Sequence, residues 1–199
     1  EIRARQTEIC DALFTDLGRP PEESLLAEVL PLVQELGQAR RRLARWMRPR
    51  RVSGGLAGFG TRARLLPQGK GVALIVAPWN YPVSLALGPL ISALAAGCGA
   101  VVKPSELAPA SAELVARIVA AAFAPDLVAV VQGDKVVATR LLSLPFDHIF
   151  FTGSPEVGKV VMTAAAQTLA SVTLELGGKS PCIIGPGADL RAAARWVAF

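Results

Sequence analysis

The stretch GVALIVAPWNYPVSLALGPLISALAAGCGAVVK, residues 71–103, decides the fold. It begins and ends with short apolar runs typical of strands, residues 72–77 and 100–103, and residues 83–96 between them have helical character. Residues 71–102 carry no charged side chain, and an uncharged stretch of this length could span a membrane. Prolines and glycines interrupt the stretch repeatedly, so a buried strand, helix and strand of an α/β core is the better interpretation.

The same alternation of strands and helices continues on both sides of this stretch. Residues 1–50 are predicted to be helical, and a glycine-rich loop follows at residues 53–60. Further strands are predicted at residues 61–66, 127–132, 148–151, 171–176 and 182–184. Further helices are predicted at residues 111–123 with Ser111 as N-cap, 136–144, 155–167 and 189–199. Apolar strands that alternate with helices predict an α/β fold, an open parallel sheet with helices on both faces.

Composition and charge exclude several classes of protein. Of the 199 residues, 52% are hydrophobic and 19% are charged, so the chain folds around a core and is not a disordered segment. The formal net charge is +5, and the basic excess lies in one run, QARRRLARWMRPRR at residues 38–51. We interpret this run as the solvated face and C-terminal end of a helix that Pro49 stops. A nucleic-acid patch is the alternative, but no nucleic-acid motif accompanies the run, so no nucleic-acid partner is predicted.

The cysteines and the single histidine carry little functional signal. Cys10, Cys98 and Cys182 show neither CxxC nor metal-site spacing, so no metal site is predicted. A reduced compartment and, with no secretory signal at the first residues, a cytoplasmic location are expected. Cys182 falls in a predicted strand, where a small buried apolar residue is its expected role. His148 precedes a strand and is expected to pack or cap rather than to act as a base.

Four unusual sequences follow predicted strands, where ligands bind to parallel sheets. They are APWNYP at residues 77–82, KPSE at 103–106, FTGSPEVG at 151–158 and LELGGKSP at 174–181. Each has an ordinary structural explanation when taken alone. These explanations are a helix-entry turn with a buried aromatic residue, a surface ion pair, a plain helix start and a glycine turn.

Each sequence also has a chemical interpretation. Two prolines fix the backbone around Asn80, which suits a side-chain amide that donates to a developing oxyanion. Lys103 and Glu106 have the groups to bind the two hydroxyls of a ribose. Gly153 stands where a strand meets a helix with proline at its first position, the arrangement of a phosphate cradle. Glu175 ends a strand beside two glycines and has the chemistry of a general base.

Together and in this order, PWNYP, KPSE, FTGSPEVG and LELGGKSP resemble the aldehyde dehydrogenase superfamily. The text between them is most similar to the class 3 branch, which includes fatty and coniferyl aldehyde dehydrogenases. The resemblance is close over residues 71–199 and loose over the leading helices. One departure is Cys98–Gly99, which stands where the family commonly has a Gly-Asn turn and which carries no catalytic group.

The resemblance implies a Rossmann-like domain and a set of site residues. Residues 1–60 would be helices and a loop that pack on the cofactor domain, and residues 61–199 the NAD-binding domain of a larger two-domain enzyme. Asn80 would be the oxyanion-hole amide and Glu175 the general base. The implied cofactor-binding residues are Trp79, Lys103, Ser105, Glu106, Thr152, Gly153, Ser154, Gly158, Leu176 and Gly177. The cofactor would be NAD, because a carboxylate at Glu106 repels the 2′-phosphate of NADP. Binding of NADP remains possible.

The implied reaction oxidises an aldehyde to a carboxylic acid through a thiohemiacetal and a thioester. In the family the reacting cysteine lies beyond the point that corresponds to residue 199, so this chain alone is expected to be inactive. The expected partners are a small aldehyde and, for the full-length protein, a second copy; no membrane partner is expected for this region. A CoA-acylating relative is disfavoured, because acyl transfer to CoA needs no water-activating Glu175. A non-catalytic or degenerate nucleotide-binding module remains the alternative.

Overall fold

A computed structural model describes residues 1–198. The chain opens with helices before any strand of the main sheet. These are α1 (Gln6–Leu17), α2 (Pro21–Ser24), a π-helical turn (Leu25–Val29) and α3 (Leu30–Trp46). An antiparallel ribbon of β1 (Arg50–Val52) and β2 (Ala63–Leu65) follows, with a short 3₁₀ turn, Leu56–Gly58, in its connection. Strand β1 was not predicted, because its arginines were interpreted as the end of a helix.

The main sheet has five strands, all parallel. They are β3 (Val72–Val76), β4 (Gly99–Lys103), β5 (Val128–Val130), β6 (His148–Gly153) and β7 (Ser171–Leu176), in the order β5-β4-β3-β6-β7. The helices between and after them are α4 (Ser84–Ala95), α5 (Pro109–Ala122), α6 (Lys135–Leu142), α7 (Pro155–Thr168) and α8 (Leu190–Ala198). The predicted α/β class with an open, Rossmann-like parallel sheet is confirmed. The strand order reverses between β3 and β6, and ligands bind at such a switch point.

The core lies on both faces of the sheet. Successive residues of β3 point to opposite faces, so Ile75 belongs to the cluster under α1, α4 and α5. Leu74 belongs to a second cluster with Ile149 and with Val161 of α7. Burial on both faces explains why β3 is apolar throughout instead of alternating.

The N-terminus of α5 is capped by a side chain from the leading helices. Asp16 accepts hydrogen bonds from the backbone N–H groups of Ala110, at 3.1 Å, and Ser111, at 2.7 Å. The prediction that Ser111 is the N-cap is therefore wrong, because the helix begins earlier, at Pro109. The Ser111 hydroxyl is buried and has no hydrogen-bond partner within residues 1–198. Asp16, which is remote in sequence, therefore caps this helix instead of a residue next to its first turn.

The predicted strand at residues 182–184 does not form. The chain runs without regular structure from the end of β7 to α8, and Cys182 is exposed there, so its expected buried role is also wrong. Three apolar residues between glycine and proline turns make a strand only where a neighbouring strand pairs with them. The carboxylate of Asp189 caps α8 by accepting from the N–H groups of Arg191 and Ala192. Phe199, part of the helix predicted at residues 189–199, lies outside the described residues.

The arginine-rich run spans the end of α3 and the first two residues of β1. Helix α3 ends at Trp46, three residues before Pro49. The arginines of this run are exposed, and none of them forms an ion pair with another of residues 1–198. No helix among the described residues combines the length and the apolar character that a membrane crossing requires.

Candidate functional site

A cleft of about 860 Å³ opens at the carboxyl ends of β3, β6 and β7, on the switch-point side of the sheet. Both predicted catalytic residues, Asn80 and Glu175, line it. Of the predicted cofactor-binding residues, the cleft is also lined by Trp79, Thr152, Gly153, Ser154, Leu176 and Gly177. Lys103, Ser105, Glu106 and Gly158 lie outside its wall. A larger groove of about 1020 Å³ between α3 and α4 contains none of the predicted site residues.

The turn that follows β3 presents Asn80 to this cleft. Its backbone oxygen accepts a hydrogen bond from Nη2 of Arg19 at 2.8 Å, and its side chain is exposed. The side-chain amide has no hydrogen-bond partner among residues 1–198, so it is free to donate to a ligand. Trp79 is 52% exposed and Tyr81 is 37% exposed. The alternative of a helix-entry turn with a buried aromatic residue therefore does not describe this turn.

The connection from β6 to α7 forms the opposite wall of the cleft. The Ser154 hydroxyl caps α7 by accepting from the N–H of Val157 at 3.3 Å, and Pro155 occupies the first turn. The Thr152 hydroxyl is buried and has no hydrogen-bond partner within the described chain. An unsatisfied buried hydroxyl costs about 1–3 kcal/mol, so a polar ligand group that reaches it would be stabilised.

Two glycines let this wall pack closely. A Cβ on Gly153 would lie 2.5 Å from the ring of Phe151, so no side chain fits there. A Cβ on Gly158 would lie 3.0 Å from Cδ2 of Leu176, so α7 approaches β7 within the space that a glycine leaves. A contact inside the chain therefore excludes a side chain at Gly153, whereas one at Gly158 would require the Leu176 side chain to move by a few tenths of an ångström.

The α7 N-terminus differs from those of the three preceding helices of the sheet. Carboxylates cap α4 (Glu28), α5 (Asp16) and α6 (Asp134), whereas the neutral hydroxyl of Ser154 caps α7. The first turn of α7 also carries Glu156, whose side chain points to solvent. The neutral cap leaves the N–H groups at the α7 N-terminus available to a phosphate, although Glu156 already brings one carboxylate to the first turn.

The end of β4 carries a lysine and a glutamate that form an ion pair. Lys103 is only 3% exposed, and its Nζ donates to Oε2 of the exposed Glu106. This hydrogen bond is the main reason that the pKa of the Glu106 carboxyl lies below its ordinary value. The Ser105 hydroxyl accepts from the N–H of Leu107 at 3.2 Å. A plain surface ion pair does not describe this arrangement, because the lysine is buried.

Glu175 lies near the end of β7 at the edge of the cleft. In the sheet register it pairs with Thr152, and Leu176 pairs with Gly153. Its carboxylate is exposed and forms no ion pair with any of residues 1–198. The register therefore places a free carboxylate beside the buried Thr152 hydroxyl, at the same end of the sheet as Asn80.

The cysteines and the histidine lie away from this cleft. Cys10 and Cys98 are buried, Cys182 is exposed, and none of the three lines the cleft. Burial raises the pKa of Cys10, which disfavours its thiolate. His148 begins β6, at the opposite end of that strand, and its ring nitrogens lie 2.8 Å from the Ser171 hydroxyl and 3.2 Å from the Thr173 hydroxyl.

Two charged residues behind the Asn80 turn, Arg19 and Glu28, were missed by the sequence analysis. Glu28 is fully buried, and Nη1 of Arg19 donates to its Oε1 at 2.7 Å. Burial raises the pKa of Glu28, although the N–H groups of Ser84 and Val83 and the charge of Arg19 act in the opposite direction. The only signal in the sequence was a single acid in the apolar run LLAEVLPLV, residues 25–33.

The fold is that of a doubly wound α/β domain. Its cleft lies at the switch point of the sheet, where domains of this class bind ligands. A sequence model described as the aldehyde dehydrogenase family matches residues 1–199. The chain belongs to the aldehyde dehydrogenase family, as the four motifs predicted.

Individual relatives support the same assignment. The putative aldehyde dehydrogenase AldX of Bacillus subtilis is 45% identical over 99% of this chain and 44% of its own length. The probable coniferyl aldehyde dehydrogenase of Pseudomonas aeruginosa is 43% identical over 98% of this chain and 41% of its own length. The substrate-bound structure of AldH from Staphylococcus aureus is 39% identical, with a TM-score of 0.91 over 97% of this chain and 42% of AldH. The chain thus spans less than half the length of the relatives that it matches.

Proposed function

We propose that this chain is the cofactor-binding part of an NAD(P)-dependent aldehyde dehydrogenase that oxidises a small aldehyde to the carboxylic acid. The observation that carries the proposal is that Asn80 and Glu175, from two separate motifs, line one cleft with the β6–α7 connection. An amide donor and a free carboxylate at one cleft are the two groups that such an oxidation requires besides a nucleophile.

The cleft has features that suit a dinucleotide. The pyrophosphate would lie at the α7 N-terminus near Gly153 and Ser154, where the helix cap is uncharged. The Thr152 hydroxyl is an unpaired buried group, and Trp79 offers an exposed ring at the same cleft. Lys103 and Glu106 would bind the adenosine ribose, and the remaining expected contacts are Ser105, Gly158, Leu176 and Gly177. When bound, NAD or NADP supplies the acceptor for the hydride that leaves the aldehyde carbon.

The residues of this chain would act on the substrate in two ways. The Asn80 amide would donate to the oxygen of the aldehyde as negative charge develops there. Glu175 would accept a proton from the water that releases the acid. The thiol nucleophile is expected beyond residue 199, because none of the cysteines among residues 1–198 lines the cleft.

The organisation of the whole protein is part of the proposal. Residues 1–60 would form a leading unit and residues 61–199 the cofactor domain, with α1 packed on α5 across that boundary. The complete protein would be a homodimer in the cytoplasm. NAD is favoured over NADP, since the lowered pKa of Glu106 keeps a negative charge where a 2′-phosphate would lie.

The first experiment is to sequence the source gene beyond the codon for Phe199 and to assay the full-length product with aldehydes and NAD. A cysteine within about a dozen codons, together with NADH formation, supports the proposal. A reading frame that closes, or that continues without the cysteine, contradicts the enzyme and leaves nucleotide binding as the function.

Glu106→Ala in the full-length enzyme is expected to weaken NAD binding by roughly tenfold or more and NADP binding by less. The reason is that the variant removes the carboxylate that would accept from the ribose but also removes the charge that repels a 2′-phosphate. Quenching of protein tryptophan fluorescence during titration with each cofactor measures both dissociation constants. Glu113→Ala, an exposed acid on α5, is the matched control. An equal loss for both cofactors would remove the ribose role.

Glu175→Gln is expected to retain the first-turnover formation of NADH and to lower the steady-state rate by about 10²-fold. The amide cannot take a proton from water, so the acyl-enzyme would accumulate. Stopped-flow absorbance at the NADH band measures both phases, with Glu113→Gln as the control. If the steady-state rate is unchanged, Glu175 is not the general base.

A further inference from the structure

A buried ion pair lies behind the turn that carries Asn80. Arg19, in the connection between α1 and α2, donates from Nη1 to Oε1 of Glu28 at 2.7 Å. The Glu28 side chain is fully buried and that of Arg19 is 11% exposed. Neither residue lies in the four motifs, and Arg19 does not line the cleft.

The second oxygen of Glu28 holds the far end of this turn. Oε2 accepts from the backbone N–H of Val83 at 2.9 Å and of Ser84 at 2.8 Å. These are the groups at the start of α4, which no residue of that helix caps. The turn therefore cannot shift along the helix axis without breaking two hydrogen bonds to a charged group.

The second nitrogen of Arg19 holds the near end. Nη2 donates to the backbone oxygen of Asn80 at 2.8 Å. The guanidinium carbon lies 4.6 Å from the centre of the Tyr81 ring, so the cation stacks on the residue that follows Asn80. One guanidinium thus holds the backbone oxygen of Asn80 and the ring of the residue that follows it.

Resting on the proposed function of Asn80, we infer that Arg19 and Glu28 are positioning residues that hold the Asn80 amide in its donating orientation. They contact the backbone of the turn and not the reacting atoms. Together they fix the turn at the oxygen of Asn80, the ring of Tyr81 and the N–H groups of Val83 and Ser84.

Stability alone does not explain this ion pair. Replacing a buried pair by well-packed apolar side chains is often neutral or stabilising, because the desolvation of both charges offsets their attraction. An apolar pair would fill the same volume but would give the Asn80 oxygen no donor. A small displacement of a catalytic group costs about 10²-fold in rate, so orientation is the property that the pair protects.

The test is a double-mutant cycle of Arg19→Met and Asn80→Ala in the full-length enzyme. Arg19 is chosen because Glu28 also caps α4. We expect Arg19→Met to lower kcat by about 10- to 100-fold at an unchanged KM for NAD. In the Asn80→Ala background the same substitution is expected to change kcat by less than about twofold, since the amide that it orients is gone.

The control is Arg117→Met, which removes an exposed arginine from its ion pair with Glu8 and should leave kcat unchanged. Urea unfolding checks that each variant is folded at the assay temperature. If Arg19→Met does not fold, Arg19→Lys replaces it in the same cycle, since a lysine retains the charge but cannot hold Glu28 and the Asn80 oxygen together.

The outcomes separate the inference from the proposed function. If Arg19→Met lowers kcat equally in both backgrounds, or not at all, the positioning role is overturned while the role of Asn80 stands. If Asn80→Ala alone has full activity, the proposed role of Asn80 fails and the positioning role falls with it.

Discussion

Asn80→Ala in the full-length enzyme is expected to lower kcat by about 10²- to 10³-fold, the loss typical of one oxyanion-hole donor. The structure makes this substitution informative, because the backbone oxygen of Asn80, which Arg19 binds, is unaffected by it. The turn should therefore keep its shape while only the amide is removed. The expected loss corresponds to about 2.7–4 kcal/mol of transition-state stabilisation.

Steady-state kinetics measures this effect, with cofactor affinity as the internal control. The dissociation constant of NAD should stay within about twofold, because the amide is expected to act on the developing charge and not on the ground state. Asn80→Ser, with a shorter donor, should retain an intermediate rate. A kcat close to that of the wild type in Asn80→Ala would show that another group stabilises the oxyanion.

Glu28→Ala is expected to lower the free energy of unfolding by about 3–5 kcal/mol. It would leave Arg19, with its side chain 11% exposed, without its buried partner and two N–H groups of α4 without an acceptor. The intact pair contributes little net stability, since burial already raises the pKa of Glu28. Removal of Glu28 is nevertheless costly, because Arg19 stays nearly buried with only the exposed Glu23, 3.1 Å from its Nε, as a charged partner.

Urea unfolding followed by circular dichroism measures this loss. The matched control is Glu8→Ala, because Glu8 also pairs with arginines, Arg5 and Arg117, but at the surface. That control should change the free energy of unfolding by no more than about 1 kcal/mol. Comparable losses for the two variants would mean that the Glu28 pair is as solvated as a surface pair.

Local pattern was sufficient to predict the main sheet. The apolar runs around residues 72–77 and 100–103 are long enough to be strands, and glycines and prolines mark where each one ends. The strand order β5-β4-β3-β6-β7 did not follow from pattern, because it depends on which strands pair across tens of residues. The failed strand at residues 182–184 has the same cause, since its apolar residues were visible but the absence of a pairing strand was not.

The residues of the candidate site also divide into those that local pattern revealed and those that only long-range contacts revealed. Asn80 and Glu175 could be named from the sequence because each lies in a short motif at a strand end. Arg19 and Glu28 could not, because their contacts with the Asn80 turn span 55 to 61 residues of sequence. Ser111 failed as an N-cap for a similar reason, because a carboxylate 95 residues away occupies that place.

The carboxylates that the leading helices give to α4 and α5 bear on how the chain folds during synthesis. Asp16 leaves the ribosome 95 residues before Ser111, whose N–H it binds. At about 5–20 residues per second this interval lasts on the order of 5–20 s, far longer than a helix needs to form. The leading helices must therefore remain in water, with their future caps hydrated, until α4 and α5 have been made. Docking of this segment waits for that synthesis, and only then is the back of the Asn80 turn complete.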